Sequence, residues 1–204
     1  DVQLQDTPLR AVTDAQGRFR IAPVPVGPQV LHVDATLARA GFLPPAVQEV
    51  TVTARSETVV AVALGVAVPF APVQGGRVVF PSVPGAILEV PPGVTLLPPD
   101  TAPALGLPLL PLTALPRTVP TGFTPVAAAE VAAGGIRFSQ PARLTLPLPT
   151  PLPPGRLGIL LHFNTATQTY EQVGLGRVST DGLAMTTLSG GLRQLSTAVF
   201  VSTG

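Results

Sequence analysis

The chain has 204 residues, a net charge of +1 and only 11% charged residues, well below the roughly 25% usual in soluble domains. Its twelve basic residues are all Arg and are scattered singly, so binding to nucleic acid or to an anionic membrane surface has no electrostatic support. Cys is absent, which removes disulfides, thiolate metal sites and Cys nucleophiles together.

Pro (26) and Gly (20) punctuate the whole chain and deny it long helices. Short β-branched runs sit between these breaks, so the pattern is all-β and predicts two consecutive antiparallel β-sandwich domains. The chain opens on strand-like residues with no initiator Met or signal segment, which reads as an internal or processed piece of a longer protein. The first domain is expected over residues 1–65, with strands near 2–5, 9–12, 18–22, 29–35, 47–53 and 57–64. Asp14-Ala15-Gln16-Gly17 is a turn between the second and third of these. Val30, His32 and Asp34 alternate with Leu31, Val33 and Ala35, so one face is polar and the other apolar. The run Val59 to Leu64 is apolar on both faces and suits a central strand. Thr36 to Ala40 is the one candidate helical turn, and residues 66–76, with their Pro and Gly pairs, form the expected linker.

The second domain is expected over 77–204. Its candidate strands are 77–80, 86–90, 94–97, 107–113, 126–131, 142–146, 157–163, 168–173, 177–180, 183–188 and 194–201. Thr101 to Pro116 is the most apolar stretch, but four prolines break it and it falls short of the ~18–20 uninterrupted residues of a spanning helix. Leu144 to Pro154 is Pro-rich and reads as a stiff edge-strand connection. Asp181-Gly182 is a two-residue hairpin signal, because type I′ turns demand positive φ.

Two stretches resemble known families. Thr13-Asp14-Ala15 with Gly17 and Phe19, then Val24-Pro25 with Gly27, then Ala40-Gly41-Phe42, look like the carboxypeptidase regulatory-like (transthyretin-like) domain, with its usual first strand truncated. In the second half the motifs run in the order Leu88 to Gly93, Gly135 to Phe138, Gln140 to Pro147, Leu161 to Asn164, Tyr170 to Gly174 and Gly176 to Gly182. That order is similar to the β-sandwich plug domain of bacterial RHS/YD-repeat and teneurin-like surface proteins, and to the related sandwich of ankyrins and netrin receptors. The resemblance implies a structural role, in which the plug seals or supports a large β-shell.

Chemistry is sparse. His32 and Asp34 share a strand face and could orient a base or hold a metal, yet no third ligand accompanies them. His162-Phe163-Asn164 is similar to the His-Phe-Ser cleavage site of self-processing relatives of the second domain, with Asn in place of Ser. At the late position where those relatives cut, Gln194-Leu195-Ser196-Thr197 has no His in sequence. The pairs Gly134-Gly135 and Gly190-Gly191 lack a phosphate-loop tail and read as turns. Asp14 and Asp181 each stand alone, as Asx turns rather than calcium ligands. With no Trp and one Tyr, a stacking platform is not expected.

The expectation is therefore a non-catalytic module with no cofactor, no metal site and no catalytic residue. It belongs to a larger extracellular or cell-surface protein and binds protein through exposed strand edges. The partner is the rest of the parent chain or a neighbouring subunit, a homo-oligomer included. Val2 to Gln5 and Leu105 to Leu115 are the candidate partner surfaces. The alternative is a filament or adhesin subunit that exchanges strands.

Overall fold

A computed structural model describes residues 1–34, 46–62, 64, 68–69, 76–97, 104–131 and 137–203. Every regular element among them is a β-strand. In chain order these are β1 (Val2–Leu4), β2 (Arg10–Ala11), β3 (Gly27–Val33), β4 (Ala46–Val52), β5 (Val68–Pro69), β6 (Gly76–Val79), β7 (Ile87–Val90) and β8 (Leu96–Leu97). They continue with β9 (Ala104–Leu105), β10 (Phe123–Glu130), β11 (Arg137–Pro147), β12 (Leu157–Asn164), β13 (Thr169–Val178), β14 (Ala184–Gly190), β15 (Leu192–Gln194) and β16 (Thr197–Thr203). No helix among the described residues is long and apolar enough to cross a membrane.

The first sheet is antiparallel, in the order β2-β1-β3-β4. Its buried side chains, Val2, Leu4, Leu31, Val33 and Ala46, lie at alternate positions along their strands, as a pleat with one covered face requires. The alternation expected around His32 is therefore present. The expected edge at Val2–Gln5 is not: β1 lies between β2 and β3, and Val2 and Leu4 are fully buried. The runs expected as strands at 18–22 and 57–64 form no ladder in their described residues. The candidate helical turn at 36–40 lies outside the described residues.

The large sheet is antiparallel and ten-stranded, in the order β10-β16-β12-β13-β14-β11-β7-β6, with β8 and β15 also pairing β11. One core cluster takes Val78 from β6, Leu88 from β7, Leu144 and Leu146 from β11, Leu160 from β12, Met185 from β14 and Phe200 from β16. Ala127 and Ala129 of β10, at the other end of the strand order from β6, belong to the same cluster. A second cluster uses the side chains between these, with Leu161, Val199 and Val201 alternating with Leu160, Ala198 and Phe200. Strands β12 and β16 are covered on both faces, which explains their nearly continuous apolar sequence. Leu110 and the half-buried Leu112, Leu115 and Val119 cover this second face, together with Val47 from β4.

Several sequence expectations change here. Leu105 to Leu115 is not a free surface: Leu105 and Leu107 are fully buried, and Leu110 and Ala114 nearly so. Only a single bridge, Leu109 to Ala129, remains of the expected strand at 107–113. Val68 and Pro69, inside the expected linker, pair with Leu105 and Ala104, and Val68 packs on the larger core. Leu144 and Leu146 are not in an edge connection, because β11 is bonded to β7 on one side and β14 on the other. The turn at Asp181-Gly182 is wider than two residues. Ser179 and Ala184 close it, with Ser179 N donating to Ala184 O, and φ is positive at Gly182 but not at Asp181, so it is no type I′ turn.

The glycine pair Gly190-Gly191 is a junction. Gly174 pairs with Gly190 at the end of β14, and the chain then crosses so that Leu192 pairs with Ala142 of β11. Both glycines have positive φ, and a Cβ on Gly191 would lie 2.2 Å from Ala142 O. No side chain fits between backbones that close.

Candidate functional site

Strands β12 and β16 are paired with His162 opposite Ala198. That register brings the imidazole to Ser196, which lies in the short link between β15 and β16. Ser196 Oγ is 2.7 Å from His162 Nε2 and 2.7 Å from Phe163 O. His162 is 4% exposed and Ser196 7%. A serine and a histidine 34 positions apart thus form a buried pair, although the sequence around Ser196 contains no histidine. Only strand adjacency, invisible in a linear reading, supplies it.

The direction of the hydrogen bonds decides what the pair can do. A hydroxyl has one proton, and Ser196 donates it to Phe163 O. The short contact to His162 is then Nε2–H donating to Oγ, a tautomer assigned from the network. A base must instead present its lone pair to the nucleophile's proton. This arrangement is therefore a latch. Ser196 also accepts from Val131 N through its carbonyl, so one residue ties the end of β10 to β12 and β16. Burial holds the His162 pKa below its usual value, with the Glu171 carboxylate opposing.

Above the latch lies a cavity of about 400 Å³, lined by Pro141, His162, Glu171, Val173, Gly190, Gly191, Arg193 and Gln194. Its charges are already committed. Asn164 Nδ2 donates to Glu171 Oε1 at 2.7 Å, and Arg193 donates to Ser139 O at 2.6 Å. Next to Ser196 in the chain, Thr197 donates to Glu130 Oε2. Burial pushes the Glu130 carboxyl above the carboxylate range, and the Thr197 bond opposes that shift. The Tyr170 ring packs against Phe163 with centroids 5.3 Å apart. Its buried hydroxyl makes no well-formed hydrogen bond. Burial raises the Tyr170 pKa, tempered by the nearby Arg117 amide, with the Glu130 carboxylate adding to the rise.

The sequence-derived candidates separate. His32 Nε2 lies 2.9 Å from Gln5 Oε1, which gives the ring an ordinary polar partner on the strand face. Asp14 accepts from Gln16 N and Arg18 N and pairs with Arg18 Nε at 3.0 Å, so it is an Asx turn. Asp181 accepts from Leu183 N and Ser179 Oγ in the same way. Gly134-Gly135 lies outside the described residues. No group of three or more acidic, His or Cys side chains is placed to hold a metal ion among the described residues.

The second candidate site was not foreseen. Over the first sheet lies an open groove of about 600 Å³, with Phe19, Ile21, Val24, Val50 and Val60 among its lining residues and Arg18, Arg20, Arg55 and Glu57 beside them. Its walls are the two runs that were expected to be strands. They keep strand alternation: Phe19 and Ile21 are half-buried while Arg20 is exposed, and Val60 and Val62 are half-buried while Val59 and Ala61 are exposed. Yet Phe19–Pro25 and Glu57–Val62 make no main-chain hydrogen bond to another main chain among the described residues. Val59 is 90% exposed and Val26 65%.

No protein-family model matches the chain, and no curated protein matches it.

Proposed function

We propose that the chain is a non-catalytic protein-interaction module of a larger extracellular or cell-surface protein, built as two consecutive β-sandwich domains that brace or plug a β-rich shell. The observation that carries this reading is the contrast between the two sheets. The strands of the large sheet share one extensive buried cluster, whereas the first sheet leaves an apolar groove open, with Val26 and Val59 exposed at it. Surfaces of that kind mark contact sites on soluble proteins. The buried Ser196–His162 pair, with its hydroxyl proton already committed to Phe163 O, supports a structural rather than a chemical role.

Sedimentation velocity over a hundredfold concentration range, alone and with the flanking parts of the parent protein, tests the reading. A monomer that forms a discrete complex with the parent's remaining domains is expected. Open-ended assembly of the chain alone would favour the strand-exchanging filament subunit instead. Esterase or amidase turnover that disappears in Ser196→Ala would overturn the non-catalytic reading.

A further inference from the structure

We infer that the groove over the first sheet accepts an extended segment of another polypeptide as an added strand, with apolar residues at alternate positions and acidic residues at its ends. The inference rests on the interaction-module reading and names the partner's chemistry. Three observations converge. First, Phe19–Ala22 and Glu57–Val62 flank the groove with main-chain donors and acceptors that bond to no other main chain among the described residues. A strand lying along either run would satisfy a row of them, which is how sheet edges capture peptides. Second, the inward residues Phe19, Ile21, Val60 and Val62 already pack against the first core. The groove between them offers apolar subsites at the two-residue spacing of a strand.

The third observation is charge. Arg18 is held by Asp14. Arg20 and Arg55 also line the groove and make no ion pair among the described residues, and Glu57 is the single acidic residue beside them. The excess is positive, so acidic flanks are complementary and basic ones are repelled. A second copy of the chain is a poor donor. Its own unladdered runs already form the walls of its own groove, and Phe19–Pro25 brings an arginine with it.

The probe is a labelled, end-capped synthetic peptide with alternating Val and Thr between terminal Glu pairs, titrated against the whole 204-residue chain by fluorescence anisotropy. Saturable binding is expected. The same peptide with Lys in place of Glu should bind about tenfold more weakly or worse. Arg20→Glu with Arg55→Glu should reverse that preference, and Val59→Asp should weaken both. These residues are exposed, and unchanged circular dichroism will confirm that the variants fold. Hydrogen exchange should slow at the amides of 19–22 and 57–62 when the Glu peptide is bound.

Equal binding of the two peptides overturns the inference, as does binding without new protection at those amides. No binding up to about 1 mM, where even weak peptide complexes register, also overturns it. If the peptide fails but the parent complex still forms in sedimentation, only the strand-acceptor inference is lost. If both fail, the interaction reading goes with it.

Discussion

Ser196 ties three separate groups of the interior together. Its hydroxyl bridges His162 Nε2 and Phe163 O, and its carbonyl takes Val131 N. Replacing it by Ala leaves a buried imidazole N–H and a buried carbonyl without partners. Leaving such groups unsatisfied costs about 1–3 kcal/mol, so Ser196→Ala should lower the unfolding free energy by that amount in urea titration. The imidazole also makes stability depend on pH. Its folded pKa lies below the ordinary 6.5, so the unfolded chain binds more protons between those two values. The stabilising effect of the neutral ring is complete above 6.5 and is lost as pH falls through the folded value. His32 is shifted the same way by burial, with Asp6 opposing, and adds to the slope. Unfolding free energy should therefore drop between pH 7 and pH 5, less steeply in His162→Gln. Glu130 has the opposite sign. Burial raises its pKa above 4.5, so its charged form opposes folding at neutral pH. Glu130→Gln should be more stable than the parent chain at pH 8, with that advantage shrinking as pH falls into the carboxylate range. Thermal unfolding across pH 4–8 reads both effects.

At the scale of elements, hydrophobic periodicity located most strands of the large sheet to within a few residues. Residues 157–163 and 183–188, for example, became β12 and β14. The reason is physical: where a strand is covered by its own chain, the side-chain pattern and the burial pattern coincide. The same logic failed at 18–22 and 57–64. There the exposure of the side chains alternates, but no neighbouring strand among the described residues completes the ladder. Pattern reports which side faces a core and says nothing about whether a backbone partner exists. It failed again at 107–113, an irregular segment in which Leu107 packs into the larger core cluster while Leu110 and Leu112 cover the second sheet face. The Ser196–His162 contact depends on β12 lying beside β16, and no local signal encodes that adjacency. Gly190-Gly191, read as a plain turn, is the point where the chain passes from one pairing partner to another. Gly191→Ala introduces a side chain at φ 140 against Ala142 O. A strained conformation alone costs about 1–3 kcal/mol, and the overlap adds to it, so the variant should unfold at distinctly lower urea than the parent chain.

Across the whole molecule, the two sheets differ in how much of their surface the chain itself covers. The large sheet encloses Phe80, Leu88, Leu144, Leu160, Met185 and Phe200 essentially completely. Among the described residues the first sheet has five buried apolar side chains and relies on half-buried ones such as Phe19, Ile21 and Val60. Burial on that scale sets the resistance of each part to opening. Native-state hydrogen exchange should find amides of β12, β13 and β16 protected to near the global limit, and amides of β1 and β3 exchanging through a lower-energy opening. Phe200→Ala should cost about 3–5 kcal/mol, as large cavities in closed cores do. It should lower the protection of the large sheet while leaving exchange in the first sheet nearly unchanged.

Strand β16 occupies a place between β10 and β12, yet it follows both in the chain. A ribosome delivers residues 123–164 long before 197–203. During that interval β10 and β12 cannot join, and Leu160 and Leu161 on opposite sides of β12 wait for a neighbour that has not been synthesised. Folding of this sheet is consequently a late, non-local event, of the kind that proceeds slowly and leaves sticky surface open meanwhile. A nascent chain arrested after Ser196 should be captured by chaperones, whereas one extended by a tether that carries Thr203 clear of the exit tunnel should resist protease.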